Sequence, residues 1–492
     1  MASSRNRLLG AVSSLLAIAY GLFTMILYLG KAIEDGRFFR RPTEKEKLEL
    51  QLARDRFWNL SKQWSGLSHQ FLTLHDGFRF HYLCSHVPGS PDIPRSNKPL
   101  VIFIHGFPDS WAIWRHILSS PQLRDSAFLV AVDLPGYGGS DCLDRYSTTN
   151  VLEKLTEFIV AIRERYEVEA LSSDDELADP HRLSSRRVII VSHDWGCVLA
   201  TRLAAEAPQL ADRFILSNGP VVDLILSNLD RHRSSATKMF NTFLHAPLQS
   251  RSMLPKALKS ARPVFRYLWL TGYIFVLRLP TIIVSYFGSA GNHSFLKWIH
   301  KDAHGKSREY TIRDAAESMA STLGPSAGEL KTETTDHEQY PSCVLERRGL
   351  ATIEQTALYY RHGTAVGRWS KSIETITALH SLDHGNELRR TSSGAGLFDD
   401  GPKGALKAKA TFVWGKDDVA IDPHIALDGI GDYLAHNSQV IMLPRSGHFT
   451  PVELESRLVI EKVTEWAVRG EKEDVGAVAK AVYPEADVTV RT

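Results

Sequence analysis

Near the middle of the chain an apolar run, Val188 to Val191, meets Ser192-His193-Asp194-Trp195-Gly196 and then a helix-like stretch from Cys197 to Ala204. Strand, sharp turn and helix, with small residues two positions either side of one reactive side chain, form a nucleophile elbow. The small neighbours are needed because the central residue sits in a strained backbone conformation. Here that residue is Asp194, where an esterase or lipase would carry serine. A carboxylate attacks saturated or strained carbon and becomes an ester that water must later cleave. The plainer reading of Asp194 is a helix N-cap; the strand before it and the acid and histidine far downstream favour the nucleophile.

The elements that must position Asp194 follow in order. His105-Gly106-Phe107-Pro108 ends the strand-like run Pro99 to Ile104, so that a backbone N–H can point into a site as half of an oxyanion hole. Asp133 opens a turn after the run Phe128 to Val132. Thr411 to Trp414 leads into Gly415-Lys416-Asp417-Asp418, and Gln439 to Leu443 leads into Ser446-Gly447-His448. Nucleophile, acid and histidine in that chain order are what the α/β-hydrolase fold requires: a mostly parallel central sheet flanked by helices. Asp417 stands beside Asp418 as the alternative acid. Gly324-Pro325-Ser326-Ala327-Gly328 matches the serine-hydrolase string letter for letter, but no apolar strand precedes it.

With these motifs in hand, the chain resembles the epoxide hydrolases of the α/β-hydrolase superfamily over roughly residues 70–469. His105 to Pro108 meets the family's His-Gly-x-Pro turn, His193 to Gly196 its elbow, Gly415 to Asp418 its acid turn and Gly447-His448 its histidine turn. The resemblance also implies two lid tyrosines on the epoxide oxygen: Tyr273, seven residues before Pro280, and Tyr360 in Tyr360-Arg361, with Tyr359 the neighbouring candidate. It implies catalysis by Asp194, Asp418, His448, Tyr273 and Tyr360, and an oxyanion hole from the N–H groups of Phe107 and Trp195. Substrate-binding positions would be His105, Pro108 and Trp195, although His105 and His193 also read as structural hydrogen-bonders. The product would be a vicinal diol, with no metal or organic cofactor. Two other functions use the same residues: a haloalkane or haloacid dehalogenase, with Trp195 as a halide donor, and a silent membrane-anchored binding protein.

From Leu8 to Gly30 no residue is charged, enough apolar chain to span a bilayer. The charged stretch after it favours an uncleaved anchor over a signal peptide. Arg5 and Arg7 precede the span, while Lys31, Arg37, Arg40, Arg41, Lys45 and Lys47 follow it, which favours a cytosolic catalytic part, with the endoplasmic reticulum as the expected membrane. The 492 residues are 43% hydrophobic with a net charge of +2, which gives no reason to invoke nucleic acid. Four cysteines show neither metal spacing nor a dense disulfide framework. The expected partners are therefore a small lipophilic epoxide and a membrane; oligomeric state stays open.

The expected division is an anchor at 8–30, a juxtamembrane linker helix at 31–68, a first core part at 69–222, a helical lid at 223–367, a second core part at 368–470 and a tail at 471–492. In the linker Phe57, Trp58 and Trp64 are placed at headgroup level. Val264 to Phe287 is apolar but holds Arg266, Arg278 and Pro280, so it reads as lid that could touch a bilayer surface rather than as a second span. Polar inserts at 172–187, 303–345 and 381–409 read as surface loops.

Overall fold

A computed structural model of the chain describes residues 2–88, 98–166, 168, 187–305, 309–346, 351–382 and 401–491. Most of the insert at 172–187, and 383–400 of the third insert, lie outside the described residues.

Short runs of branched and aromatic residues with no polar alternation make strands buried on both faces, the mark of a parallel sheet covered by helices. Leu100–Ile104 (β3), Phe128–Val132 (β4), Val188–His193 (β5), Arg213–Ser217 (β6) and Ala410–Gly415 (β7) are buried along their whole length. With Ser438–Leu443 (β8) they pair in parallel. Ser68–Thr73 (β1) and Arg79–Cys84 (β2) add an antiparallel edge beside β4, and Asp487–Arg491 (β9) an antiparallel edge beside β8. The nine-stranded order is β1-β2-β4-β3-β5-β6-β7-β8-β9. This is the α/β-hydrolase fold. The side chains of β3, β5 and β6 divide between two hydrophobic clusters, one on each face of the sheet.

Of the longer helices, Ala2–Glu34 (α1) and Glu44–Trp58 (α2) precede the sheet, and Thr148–Arg165 (α3), Trp195–Glu206 (α4) and Leu454–Val468 (α11) cover it. Over the carboxyl ends of the strands lie Val222–His245 (α5), Met253–Leu270 (α6), Gly272–Leu277 (α7), Thr281–Ala303 (α8, broken into two helical segments by a kink at Ala290 to His293), Ile312–Leu323 (α9) and Ala351–Arg361 (α10). The apolar stretch 264–287 is divided among α6, α7 and the start of α8, as its arginines and Pro280 require. Ala11–Glu34 is the one described helix long and apolar enough to cross a membrane.

Three expectations are corrected. The insert at 303–345 is not a surface loop: α9 is N-capped by Thr311 in a capping box with Asp314 and packs on α2. The Trp58 indole donates to Ala320 O at 2.8 Å and the Tyr340 hydroxyl to Trp58 O at 2.6 Å. For the same reason Phe57 and Trp58 lie in the protein core, not at headgroup level; burying their rings against Trp111 is worth more than leaving them at an interface. The segment 471–492 is more than a tail, since it supplies β9 and Glu471, which takes the buried Arg213 guanidinium as a salt bridge.

Candidate active site

The elbow is where β5 must turn into α4 without a gap. Asp194 takes φ 50° and ψ −117°, a conformation a non-glycine residue adopts only at a cost. Its N–H reaches Ser217 O at 3.3 Å and its carbonyl accepts from Cys197 at 2.9 Å, so strand and helix hold it from both sides. A side chain at Gly196 would strike the carbonyl of Ile104, and one at Gly106 would strike the Asp194 carboxylate. That closeness brings the loop after β3 onto the nucleophile. The Phe107 N–H donates to Asp194 Oδ1 at 2.7 Å. Trp195 opens α4, so its N–H lacks an intrahelical acceptor.

Opposite, His448 Nε2 lies 3.5 Å from Asp194 Oδ2, and His448 Nδ1 lies 2.9 Å from Asp418 Oδ2. Asp418 Oδ1 accepts from the N–H groups of Ala420 at 2.7 Å and Ile421 at 2.9 Å, and the Asn218 side chain donates to Oδ2 at 2.7 Å. Asp417 is exposed, so the turn itself separates the two acids. Asn218 also accepts from Gly415 N–H at 3.1 Å, pinning the end of β6 to the acid turn. Its role was not read from sequence; its position at the end of a strand beside the acid strand is the signal that could have found it.

Burial disfavours charge on His448 and Asp194, and their partners decide the outcome. Burial would lower His448, but the Asp418 charge and then Asp194 overcome it and hold the imidazole up to about 10. Burial would raise Asp194; the hydrogen bond and charge of His448 outweigh it and keep the carboxyl below its ordinary value. The resting pair is therefore carboxylate and imidazolium. Neighbouring Asp109 is pushed up to about 7 by burial, against the pull of Ser321 and Arg115.

The lid supplies phenols. Tyr273 on α7 and Tyr360 on α10 set their rings 6.0 Å apart and nearly perpendicular, and Tyr360 meets Phe107 at 5.5 Å and Trp195 at 5.0 Å. The Tyr360 hydroxyl is buried with no hydrogen-bond partner of good geometry, although Tyr273 and Trp195 lie close enough to act on its ionisation. Both phenols are driven well above 10 by burial first, with the Asp194 charge adding to it, so each keeps its proton. Tyr359 points elsewhere: its hydroxyl donates to Pro135 O at 3.0 Å.

Between the two walls lies a cavity lined by Asp194, His448, Tyr273, Phe107 and Pro108, with Phe295, Trp298 and Ile299 of α8. His105, counted as substrate-binding, does not line it: both ring nitrogens are engaged by backbone, Gly106 O at 2.9 Å and Leu134 N at 2.9 Å. The Trp195 ring does not line it either, being packed edge-on against Tyr359 and Tyr360. Pro108 does. Tyr28 of α1 is a lining residue that sequence reading missed. The Ser326 decoy sits in a turn after α9, bonded to Glu329. Among the described residues no three His, Cys, Asp or Glu side chains are arranged to hold a metal ion.

Residues 99–252 match the family model described as the alpha/beta hydrolase fold. The chain is 30% identical over 168 residues to mouse epoxide hydrolase 3, covering 32% of this chain and 37% of that protein. It is 30% identical over 201 residues to epoxide hydrolase 1 of Caenorhabditis elegans, covering 40% of this chain and 38% of that one. The matches thus span well under half of these relatives. A solved Bacillus megaterium epoxide hydrolase with an inhibitor superposes with a TM-score of 0.46 at 18% identity, covering 81% of this chain and 99% of that one.

Proposed function

We propose that this chain hydrolyses an apolar epoxide to a vicinal diol through an ester on Asp194. The observation that carries this reading is a carboxylate, not a hydroxyl, at the elbow, on a chamber that the phenol of Tyr273 also lines. The likeness to epoxide hydrolases of mouse and worm supports it.

Asp194 Oδ2 attacks an epoxide carbon and the C–O bond on its far side breaks. The departing oxygen takes a proton from Tyr273 or Tyr360; a neutral phenol in a water-poor site suits this role. Oδ1, already held by the Phe107 N–H, becomes the ester carbonyl oxygen, placed where the oxyanion of the second step needs its donors. Esterification removes one of the two negative charges that hold His448 protonated, so the imidazolium gives up its proton, which reprotonates the tyrosinate left by ring opening, and the neutral imidazole becomes the base for water. Water attacks the ester carbonyl, the N–H groups of Phe107 and Trp195 hold the oxyanion, and collapse releases the diol and the Asp194 carboxylate. Asp418 orients His448 and balances its charge throughout.

In this reading α1 anchors the chain in a membrane, the endoplasmic reticulum, with the catalytic part on the cytosolic side; the excess of basic residues after α1 supports that orientation. The test is one turnover of an aryl epoxide in heavy-oxygen water with peptide mass spectrometry. Light oxygen in the first diol and heavy oxygen afterwards in Asp194 establish the ester route. Halide released from a haloalkane with no epoxide turned over would replace it with dehalogenation.

A further inference from the structure

The apolar helix α1 does not stand apart from the enzyme. Tyr20, Gly21, Thr24, Tyr28 and Ala32 recur at helical spacing on one face, and that face is docked on the lid. The Tyr20 hydroxyl donates to Leu268 O at 2.8 Å, and its ring meets Phe275 edge-on at 5.0 Å. Gly21 lies so close to α7 that a Cβ there would come within 2.6 Å of Phe275 O, and a Cβ on Gly272 within 3.0 Å of the Thr24 methyl. The Tyr28 ring lies 5.4 Å from Phe295 and 5.5 Å from Trp298. It shares with them the chamber that holds Asp194, Tyr273 and His448. The opposite face of α1, with Leu15, Leu16, Phe23 and Ile26, is exposed.

This seam fixes where the lid sits relative to a membrane. Tyr20 to Ala32 covers about 18 Å along the axis at 1.5 Å per residue, roughly one leaflet's share of the apolar core. If α1 crosses a bilayer through Ala11–Glu34, the lid elements on that seam must lie within the same leaflet. Their free surface matches: Leu258, Phe265, Leu268 and Trp269 of α6, and Ile282 and Tyr286 of α8, are large apolar residues exposed to solvent. Lys256, Lys259 and Arg262 are exposed on the same helix α6, the composition of a helix seated among lipid headgroups.

We propose that the lid face formed by α6 and α8 is immersed in one bilayer leaflet beside α1, and that the chamber draws its substrate laterally from that leaflet past Tyr28. The epoxide it takes is then one carried on a long apolar chain dissolved in the membrane. The substrate half of this inference rests on the proposed function; the immersion half does not.

The test uses the full chain in vesicles of phosphatidylcholine with one-fifth phosphatidylserine, with Cys142 and Cys343 replaced by serine and a nitroxide on Trp269→Cys or, as control, on Lys472→Cys. The label at 269 is expected to collide with oxygen rather than with a water-soluble nickel complex, and the label at 472 to do the reverse. A label at 269 as water-exposed as the control overturns the immersion. So does shielding at 269 that disappears on dilution into excess lipid, since a second copy of the chain then covers the face. In the same vesicles Tyr28→Ala is expected to raise KM for a long-chain epoxide about tenfold, and to raise it more than KM for a small aryl epoxide. Equal changes for both substrates overturn the role of Tyr28. A label in lipid with no epoxide turned over would leave the immersion standing and remove the proposed reaction.

Discussion

One wall of the chamber is held by backbone and the other by rings. On the sheet side Asp194 is gripped by β6, α4 and the Phe107 N–H, and Asp418 takes two backbone N–H groups besides Asn218. On the lid side the lining rings of Tyr273, Tyr28, Phe295 and Trp298, with Tyr360 packed against Tyr273, are placed chiefly by edge-on and tilted contacts between aromatic rings. Hydrogen bonds to strand ends fix direction to within a narrow angle, whereas ring contacts tolerate sliding. A site divided this way can keep its bond-making geometry constant and let its pocket vary.

The largest test of that division is Asp194→Ala. It leaves the lid wall untouched and should lower turnover by at least about 10⁴-fold, because nothing else can form the ester. Chamber binding of a non-hydrolysable amide should survive. The same variant has a second readout. With Asp194 gone one of the charges that raise His448 is gone, so the imidazole should titrate below its wild-type value of about 10, as followed by NMR.

His448→Gln comes next. Attack on the epoxide needs no base, but hydrolysis does, so the ester on Asp194 should accumulate to one equivalent while steady turnover falls about 10³-fold. A variant that neither turns over nor accumulates ester would show that His448 also serves the first step. Stability gives an independent sign. Because the folded pKa of His448 is raised, its stabilising contribution is complete below about pH 6.5 and is lost as pH rises through about 10. Asp194, lowered in the fold, contributes above about pH 4 and loses that contribution in acid. The difference in melting temperature between wild type and His448→Gln should therefore shrink toward pH 10.

The division also explains which parts could be read from the chain. Sheet-side residues sit at the ends of short apolar runs, where turn chemistry demands Gly, Asp and His at fixed offsets, so elbow, acid turn and histidine turn stand out locally. Lid-side residues are set by partners far away in sequence. Trp58 meets Ala320 across 262 positions, and nothing near Trp58 distinguishes a core indole from one at a headgroup. Tyr28 sits in an apolar run where a pocket tyrosine and a lipid-facing one look alike. Two misses did carry local signals: the Thr311-Asp314 capping box announces α9, and alternating Asp487-Val488-Thr489-Val490 announces an edge strand.

Smaller effects should separate the two walls further. Tyr360→Phe and Tyr273→Phe each leave one phenol for the departing oxygen, so each should slow ester formation by about 10- to 100-fold, and the double variant by far more than either. Ester hydrolysis, measured on preformed intermediate, should hardly change. Equal slowing of both steps would mean that the rings support the sheet wall rather than protonate the epoxide.

Asn218→Ala is the finest probe, because Asn218 touches the acid and not the substrate. It removes one donor to Asp418 and one acceptor for Gly415 N–H, while Ala420 and Ile421 still hold the carboxylate. A single buried hydrogen bond of this kind is worth about 1 to 2 kcal/mol, or roughly 5- to 30-fold. The loss should fall on ester hydrolysis, which depends on the aim of His448, and not on ester formation, which depends on Asp194. Asn218 also holds φ 46°, a backbone state that asparagine accepts more readily than alanine, so part of the effect will be conformational. Asn218→Asp keeps that backbone preference but sets a second acid against Asp418. If it slows hydrolysis more than alanine does, the hydrogen bond and its charge are what matter at this position; if it restores activity, the turn is.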